Sequence, residues 1–188
     1  EQGQKVSDEL DVPFYLNIEE VLNKVDAVSI AVPTVHHYKS AKAFLANGVH
    51  VLLEKPFAET IEEAEELAQL ASDNNVSLQI GHLERFNPVF AEFQKLIDQP
   101  KFIENIRIAP FPKRGTDVDV ILDLMIHDID LVLAAVGEFP ETVEGIGVKF
   151  VTSSSDLAKA RLRFPCGCIA DLTASRISDK AERKMRIF

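Results

Sequence analysis

The run LDLMIHDID, residues 122–130, sets one histidine and three aspartates into an otherwise apolar stretch. Charge buried among apolar neighbours is costly unless it is paired or used. Asp123 and His127 are one helical turn apart and face the same side of a helix. Such a pair suits acid–base work, which needs only a substrate and a partner for the imidazole. A metal site needs further ligands, and no other His/Cys/Asp/Glu cluster stands at a recognisable spacing. Taken alone, Asp-x-x-x-His is better explained as a helix face meeting solvent or a domain interface. Asp128 and Asp130 have no assigned role and are expected to be paired or solvated.

Three other stretches carry polar groups to places where a fold could use them. Glu54-Lys55-Pro56 follows a strand-like run, and an ammonium there could hydrogen-bond a substrate hydroxyl. The plainer account is a strand-end salt bridge before a turn proline. VPTVHH puts Thr34 and His37 at the start of a helix, where free N–H groups suit a phosphate or ribose, although Thr34 could simply cap that helix. GHLERFNP carries Arg85 and Asn87 in a loop after a third strand, a position where polarity also follows from exposure alone.

These groups need elements to position them. DAVSIAV (26–32) is a continuous β-branched run stopped by Pro33, the pattern of a strand buried on both faces. A helix over about 36–47 is closed by Gly48, and HVLLE (50–54) is the next strand. Thr60 and Glu63 form a capping box opening a long helix to about Asn75. VSLQIG (76–81) is a third strand, and a short helix runs from Pro88 to about Asp98. This β-α-β-α-β order predicts a parallel sheet with right-handed crossovers.

The second half differs. A strand within 102–110 precedes the loop FPKRG, and a helix then runs from about Asp117 to Val136, closed by Gly137. Its core stripe is Ile121, Met125, Ile129, Val132 and Val136. TVEGIGVKF, DLAKARLRF, CIADLTASRI and KMRIF follow as strands, predicting a mainly antiparallel open sheet. The expected fold class is α/β: a partial Rossmann domain over 1–100, then an α+β domain over 101–188.

A net charge of −10 with no long basic run argues against nucleic acid and anionic membranes as partners. No apolar run is long enough to span a bilayer, and the first residues do not form a charged-then-apolar leader. Cys166 and Cys168 stand in CGC without a second pair, so two free thiols and a cytoplasmic location are expected. The chain has no G-x-G-x-x-G, since GIG at 145–147 lies between strands, which weighs against a nucleotide enzyme.

In order and spacing, VPTVHHYKSAKAFLANGVHVLLEKPFAET, IGHLERFNP and VILDLMIHDIDLV resemble the glucose–fructose oxidoreductase/inositol dehydrogenase (Gfo/Idh/MocA) family, over almost the whole chain. DVDVILDLMIHDIDLV and LTASRIS are most similar to its branch acting on nucleotide-linked amino sugars, of the UDP-N-acetylglucosamine 3-dehydrogenase type. The resemblance implies a Rossmann domain binding NAD or NADP, then a domain whose open sheet supports homo-dimers or tetramers. It implies hydride transfer between the nicotinamide and a secondary hydroxyl of a sugar or nucleotide sugar. A free polyol, inositol or sugar acid is the alternative substrate, and a non-catalytic sensor or assembly subunit the alternative role. Lys55, Asp123 and His127 match the family's catalytic residues. Pro33, Thr34, His37, Glu54 and Lys55 match positions lining the cofactor, and Arg85 and Asn87 match the loop near nicotinamide and substrate. The family's glycine-rich loop and the remainder of its C-terminal sheet are absent. The chain is therefore expected to correspond to the middle of a longer enzyme and to bind cofactor weakly or not at all.

Overall fold

The computed structural model describes residues 2–111 and 118–188. Most of the loop FPKRG and the expected helix start near Asp117 lie outside the described residues. The chain forms two compact units, Glu1–Gly81 and His82–Phe188.

The first unit opens with helix α1 (Gln2–Leu10), which buries no residue. The segment around NIEEVL forms a 3-10 turn, Ile18–Glu20. Strands β1 (Ala27–Ile30), β2 (His50–Leu53) and β3 (Leu78–Ile80) pair in parallel in the order β1-β2-β3. Helices α2 (His37–Ala46) and α3 (Ile61–Asp73) connect them, giving the predicted alternation. Gly48, at φ 73°, turns the chain out of α2 in the left-handed region that glycine adopts without strain. Thr60 caps α3 as predicted, its hydroxyl accepting from the Glu63 N–H at 3.2 Å, while the Glu63 carboxylate accepts from the Glu59 N–H, one residue before the cap. Phe44, Leu45, Val51, Leu53 and Leu67 make the core.

One expectation for this unit is corrected. Strand β1 is not buried on both faces: Ile30 is buried, whereas Ala27 and Ser29 are exposed. In β2 Val51 and Leu53 are buried while His50 and Leu52 are not. Among the described residues, the core of this unit packs on one face of β1, and Ala27 and Ser29 lie on the other.

The second unit begins earlier than the expected 101. A 3-10 turn (Leu83–Phe86) and helix α4 (Pro88–Gln94) precede strand β4 (Phe102–Ile108). Residues 82–98 join this unit because their side chains bond within it: Arg85 to Asp130, Glu84 to Arg107, and Gln94 to the Ala134 carbonyl. A π-helical turn (Ile121–Met125) leads into α5 (Ile126–Val136), closed by Gly137 at φ 83°. Strands β5 (Thr142–Val148), β6 (Leu157–Arg163), β7 (Ile169–Ser175) and β8 (Glu182–Ile187) complete a sheet of order β5-β6-β7-β4-β8. Only β4 and β7 pair in parallel, so the sheet is mainly antiparallel as predicted. Its inner face carries Ile103, Leu162, Ala170 and Leu172, which pack with Met125 and Val132 in one core. Ile121, Ile129 and Val136 pack against the same core, so the predicted helix stripe faces inward. Among the described residues no helix is long and apolar enough to cross a membrane.

Candidate active-site residues

In the first unit the candidate residues stand at the carboxyl ends of parallel strands, where open α/β sheets bind ligands. Pro33 and Thr34 follow β1, and Thr34 begins the 3-10 turn Thr34–His36 that leads into α2. Thr34 is buried as the first residue of the 3-10 turn, and the N-cap positions of that turn and of α2 fall on Pro33 and His36, so Thr34 does not stand where the capping account needs it. Glu54 and Lys55 follow β2; the Glu54 N–H donates to the Ile30 carbonyl at 3.0 Å, continuing the strand pairing to its end. The Glu54 carboxylate folds back to accept the Lys55 N–H at 3.3 Å. Gly81, which follows β3, gives it room: a Cβ there would lie 3.1 Å from Glu54 Oε2. The Lys55–Pro56 bond is cis.

His37 is 1% exposed, and each ring nitrogen faces a carbonyl: Nδ1 at 2.7 Å from Pro56 O and Nε2 at 2.9 Å from Val32 O. A neutral imidazole has one N–H, and only the doubly protonated ring donates to both. Either way His37 ties the end of β1 to the turn that carries Lys55.

In the second unit Arg85 and Asn87 are exposed, as a loop predicts, yet both are engaged. Arg85 grips Asp130 with Nε to Oδ2 and Nη2 to Oδ1, each at 2.7 Å. Asn87 Oδ1 accepts the Val89 N–H at 3.0 Å and caps α4. Asp123 lies within the π turn, and His127 lies in the first turn of α5, both half-buried. The Ile126 N–H reaches the Ile121 carbonyl, five residues back, so the turn between Asp123 and His127 is wider than the α-helix assumed from spacing.

Several supporting residues escaped the sequence reading. The buried Arg107 of β4 fork-bonds the buried Asp128: Nε contacts Oδ1 and Oδ2 at 2.9 and 3.0 Å, and Nη2 contacts Oδ1 at 2.7 Å. Glu84 stands 3.4 Å from the same guanidinium. Burial pushes the Asp128 carboxyl above its ordinary value, and Arg107 draws it only partly back. At the other end of the helical segment, Asp119 Oδ1 accepts the N–H groups of Ile121 and Leu122. The fully buried Arg176 spends its donors on Asp156, Thr152, Ser154 and the Val118 carbonyl. Asp156 also accepts three backbone N–H groups, from Phe150, Val151 and Thr152, which hold its carboxyl well below the ordinary range against the opposing effect of desolvation. A signal for Arg107 did exist: in FIENIRI it shares a strand face with Ile103, so alternation alone marks it as an inward charge.

The sequence matches two family models, one described as an oxidoreductase family with an NAD-binding Rossmann fold over residues 1–82 and one as a GFO/IDH/MocA C-terminal domain over 107–188. The chain is 40% identical to a UDP-N-acetylglucosamine 3-dehydrogenase of Acidithiobacillus ferrooxidans, across all of this chain and 60% of that protein. A solved structure of that enzyme superposes with a TM-score of 0.94 at 39% identity, covering 100% of this chain and 62% of the other. A scyllo-inositol 2-dehydrogenase (NAD(+)) of Bacillus subtilis is 27% identical over 82% of this chain and 49% of its own length. The chain thus spans between about half and 60% of the curated relatives named here.

Proposed function

The chain belongs to the GFO/IDH/MocA oxidoreductase family, and from that premise we propose that it serves an NAD(P)-dependent dehydrogenase acting on a secondary hydroxyl of a nucleotide-linked amino sugar. The observation that carries this reading is the 40% identity to a UDP-N-acetylglucosamine 3-dehydrogenase along the entire chain. The polar strand ends of the first unit and the Asp123/His127 turn of the second support it.

The residues at the strand ends suit the nicotinamide side of a dinucleotide. Pro33, Thr34, His37, Glu54 and Lys55 would line it, with His37 acting through the backbone it braces. A nicotinamide, when bound, supplies the hydride acceptor. Lys55 would donate a hydrogen bond to the substrate oxygen, stabilising negative charge as it develops there. His127 would take the hydroxyl proton as general base, and Asp123 would orient substrate and imidazole. Arg85 and Asn87 would meet the substrate with the donors left beyond the Asp130 pair and the α4 cap.

Two further parts of this reading concern assembly and location. A homo-dimer or tetramer would form through the outer face of the five-stranded sheet, where Ile106, Ile108, Leu157 and Ile169 stand opposite the helix-covered side. The free thiols of Cys166 and Cys168 suit the reducing cytoplasm.

The test is oxidation of UDP-N-acetylglucosamine with NAD or NADP, followed by nicotinamide absorbance, with scyllo-inositol as the competing substrate. In the full-length protein that contains this chain, His127→Ala should lower turnover by roughly 10²–10⁴-fold while leaving cofactor affinity unchanged. Undiminished turnover, or faster oxidation of inositol than of the nucleotide sugar, refutes the corresponding part of the proposal.

A further inference from the structure

The residues flanking His127 are anchored on both sides of the π turn, and the anchors are independent of one another. On the N-terminal side, Arg176 Nη1 donates to the Val118 carbonyl at 2.8 Å, the Val120 N–H donates to the Ser155 carbonyl at 2.9 Å, and Asp119 caps Ile121 and Leu122. Val120 itself is fully buried in the core. On the C-terminal side, Asp128 is held by Arg107 from β4, and Asp130 by Arg85 from the turn before α4. Asp128 and Asp130 are both buried, and each is gripped by two guanidinium nitrogens.

Between these anchors the chain holds one residue more than regular α-helical hydrogen bonding would place there. The surplus is taken up by the bond from Ile126 N–H to Ile121 O. Returning the segment to a regular α-helix would turn α5 by about 100° and slide it about 1.5 Å along its axis relative to the anchored end. That movement would pull both buried carboxylates away from their arginines. The anchors therefore favour the wide turn, which otherwise has poorer bonding than an α-helix.

We propose that Arg107–Asp128 and Arg85–Asp130 are positioning pairs that hold the π turn Ile121–Met125 and thereby set the angular offset between Asp123 and His127. The inference rests on the reading of Asp123 and His127 as the acid–base pair. It gives Asp128 and Asp130 a role the spacing of LDLMIHDID did not reveal. Arg85 then acts chiefly by holding α5, and its substrate contact is secondary.

The test is solution NMR of the 188-residue chain, reading couplings across hydrogen bonds. In the wild type the Ile126 amide should couple to the Ile121 carbonyl. Replacing both pairs by apolar side chains, Arg107→Met with Asp128→Leu and Arg85→Met with Asp130→Leu, removes the register lock without stranding a buried charge. In this variant the Ile126 coupling should move to the Leu122 carbonyl, and the His127 imidazole signals should shift with it. Persistence of the Ile121 coupling in the folded variant, or its absence from the wild type, overturns the proposal. If the fourfold variant does not fold, Arg107→Lys keeps the charge and loses the fork. Amide exchange at Ile126, referenced to Val132, should then accelerate at least tenfold, and an unchanged ratio overturns the proposal. Loss of the dehydrogenase reading is registered separately, by undiminished turnover in His127→Ala, and leaves the π turn untouched.

Discussion

Removing Arg107 should be among the most damaging single changes to the second unit, with a pH dependence of unusual sign. In Arg107→Ala the Asp128 carboxylate, only 3% exposed in the wild type, loses its three hydrogen bonds from the guanidinium, at 2.7, 2.9 and 3.0 Å. Breaking a buried ion pair from one side costs about 3–5 kcal/mol, because the surviving charge is left without its partner. A cavity of about 430 Å³ beside the pair, lined by Glu84, Asn87, Phe90, Asn105 and Arg183 among others, gives water a route to the carboxylate. The lower end of the range, about 3 kcal/mol, is therefore expected. For a unit of this size that lowers Tm by roughly 12 °C or more. Asp128 already titrates above its ordinary value through burial, and loss of the guanidinium raises it further. A carboxyl whose folded pKa exceeds its unfolded one favours the folded state at low pH. That stability is lost as pH rises from the unfolded value towards the folded one. Arg107→Ala should thus be less destabilising at pH ~4.5 than at pH ~7.5. Urea unfolding at both pH values, followed through the far-UV signal, reads the difference. The double variant Arg107→Met/Asp128→Leu, which leaves only the partly exposed Glu84 with its second partner Arg183, should recover most of the loss. A loss below about 1 kcal/mol at neutral pH, or a larger loss at acid pH, refutes the argument.

Two other outcomes follow from the same structure. Cys166 is exposed and Cys168 is buried, with burial pushing the Cys168 thiol upward, so Ellman's reagent should label one thiol rapidly in the native chain and the second only after unfolding. Because the chain carries no G-x-G-x-x-G, calorimetric titration with NADH should show weak or undetectable binding, whereas tight stoichiometric binding would show that the strand-end residues suffice.

Where bonding is local, the sequence was a reliable guide. Thr60 and Glu63 are three residues apart, and the cap they predict forms. Gly48 and Gly137 close their helices at positive φ because only a residue without a Cβ takes that conformation freely. The stripe Ile121, Met125, Ile129, Val132 and Val136 faces the core as its spacing predicts; the 3.6-residue period accounts for the α-helical part of it, and Ile121 reaches the same core across the π turn. The alternation of strands and helices likewise anticipated a parallel sheet followed by a mainly antiparallel one.

The interactions that decide how the candidate site is held were not legible in that way. Arg107 and Asp128 are separated by 21 residues and Arg85 and Asp130 by 45, and nothing in the spacing along the chain brings them together. Residues 82–98 read as the tail of the first unit because they follow its last strand. Their bonds to Arg107, Asp130 and Ala134 place them in the second. Period and composition determined which residues of LDLMIHDID face the core, and their types suggested acid–base chemistry. The wide turn beneath Asp123 and the pairing of Asp128 and Asp130 were decided by tertiary structure. Buried carboxylates must find cations wherever the fold supplies them, and the backbone between two fixed anchors must accommodate the residue that remains.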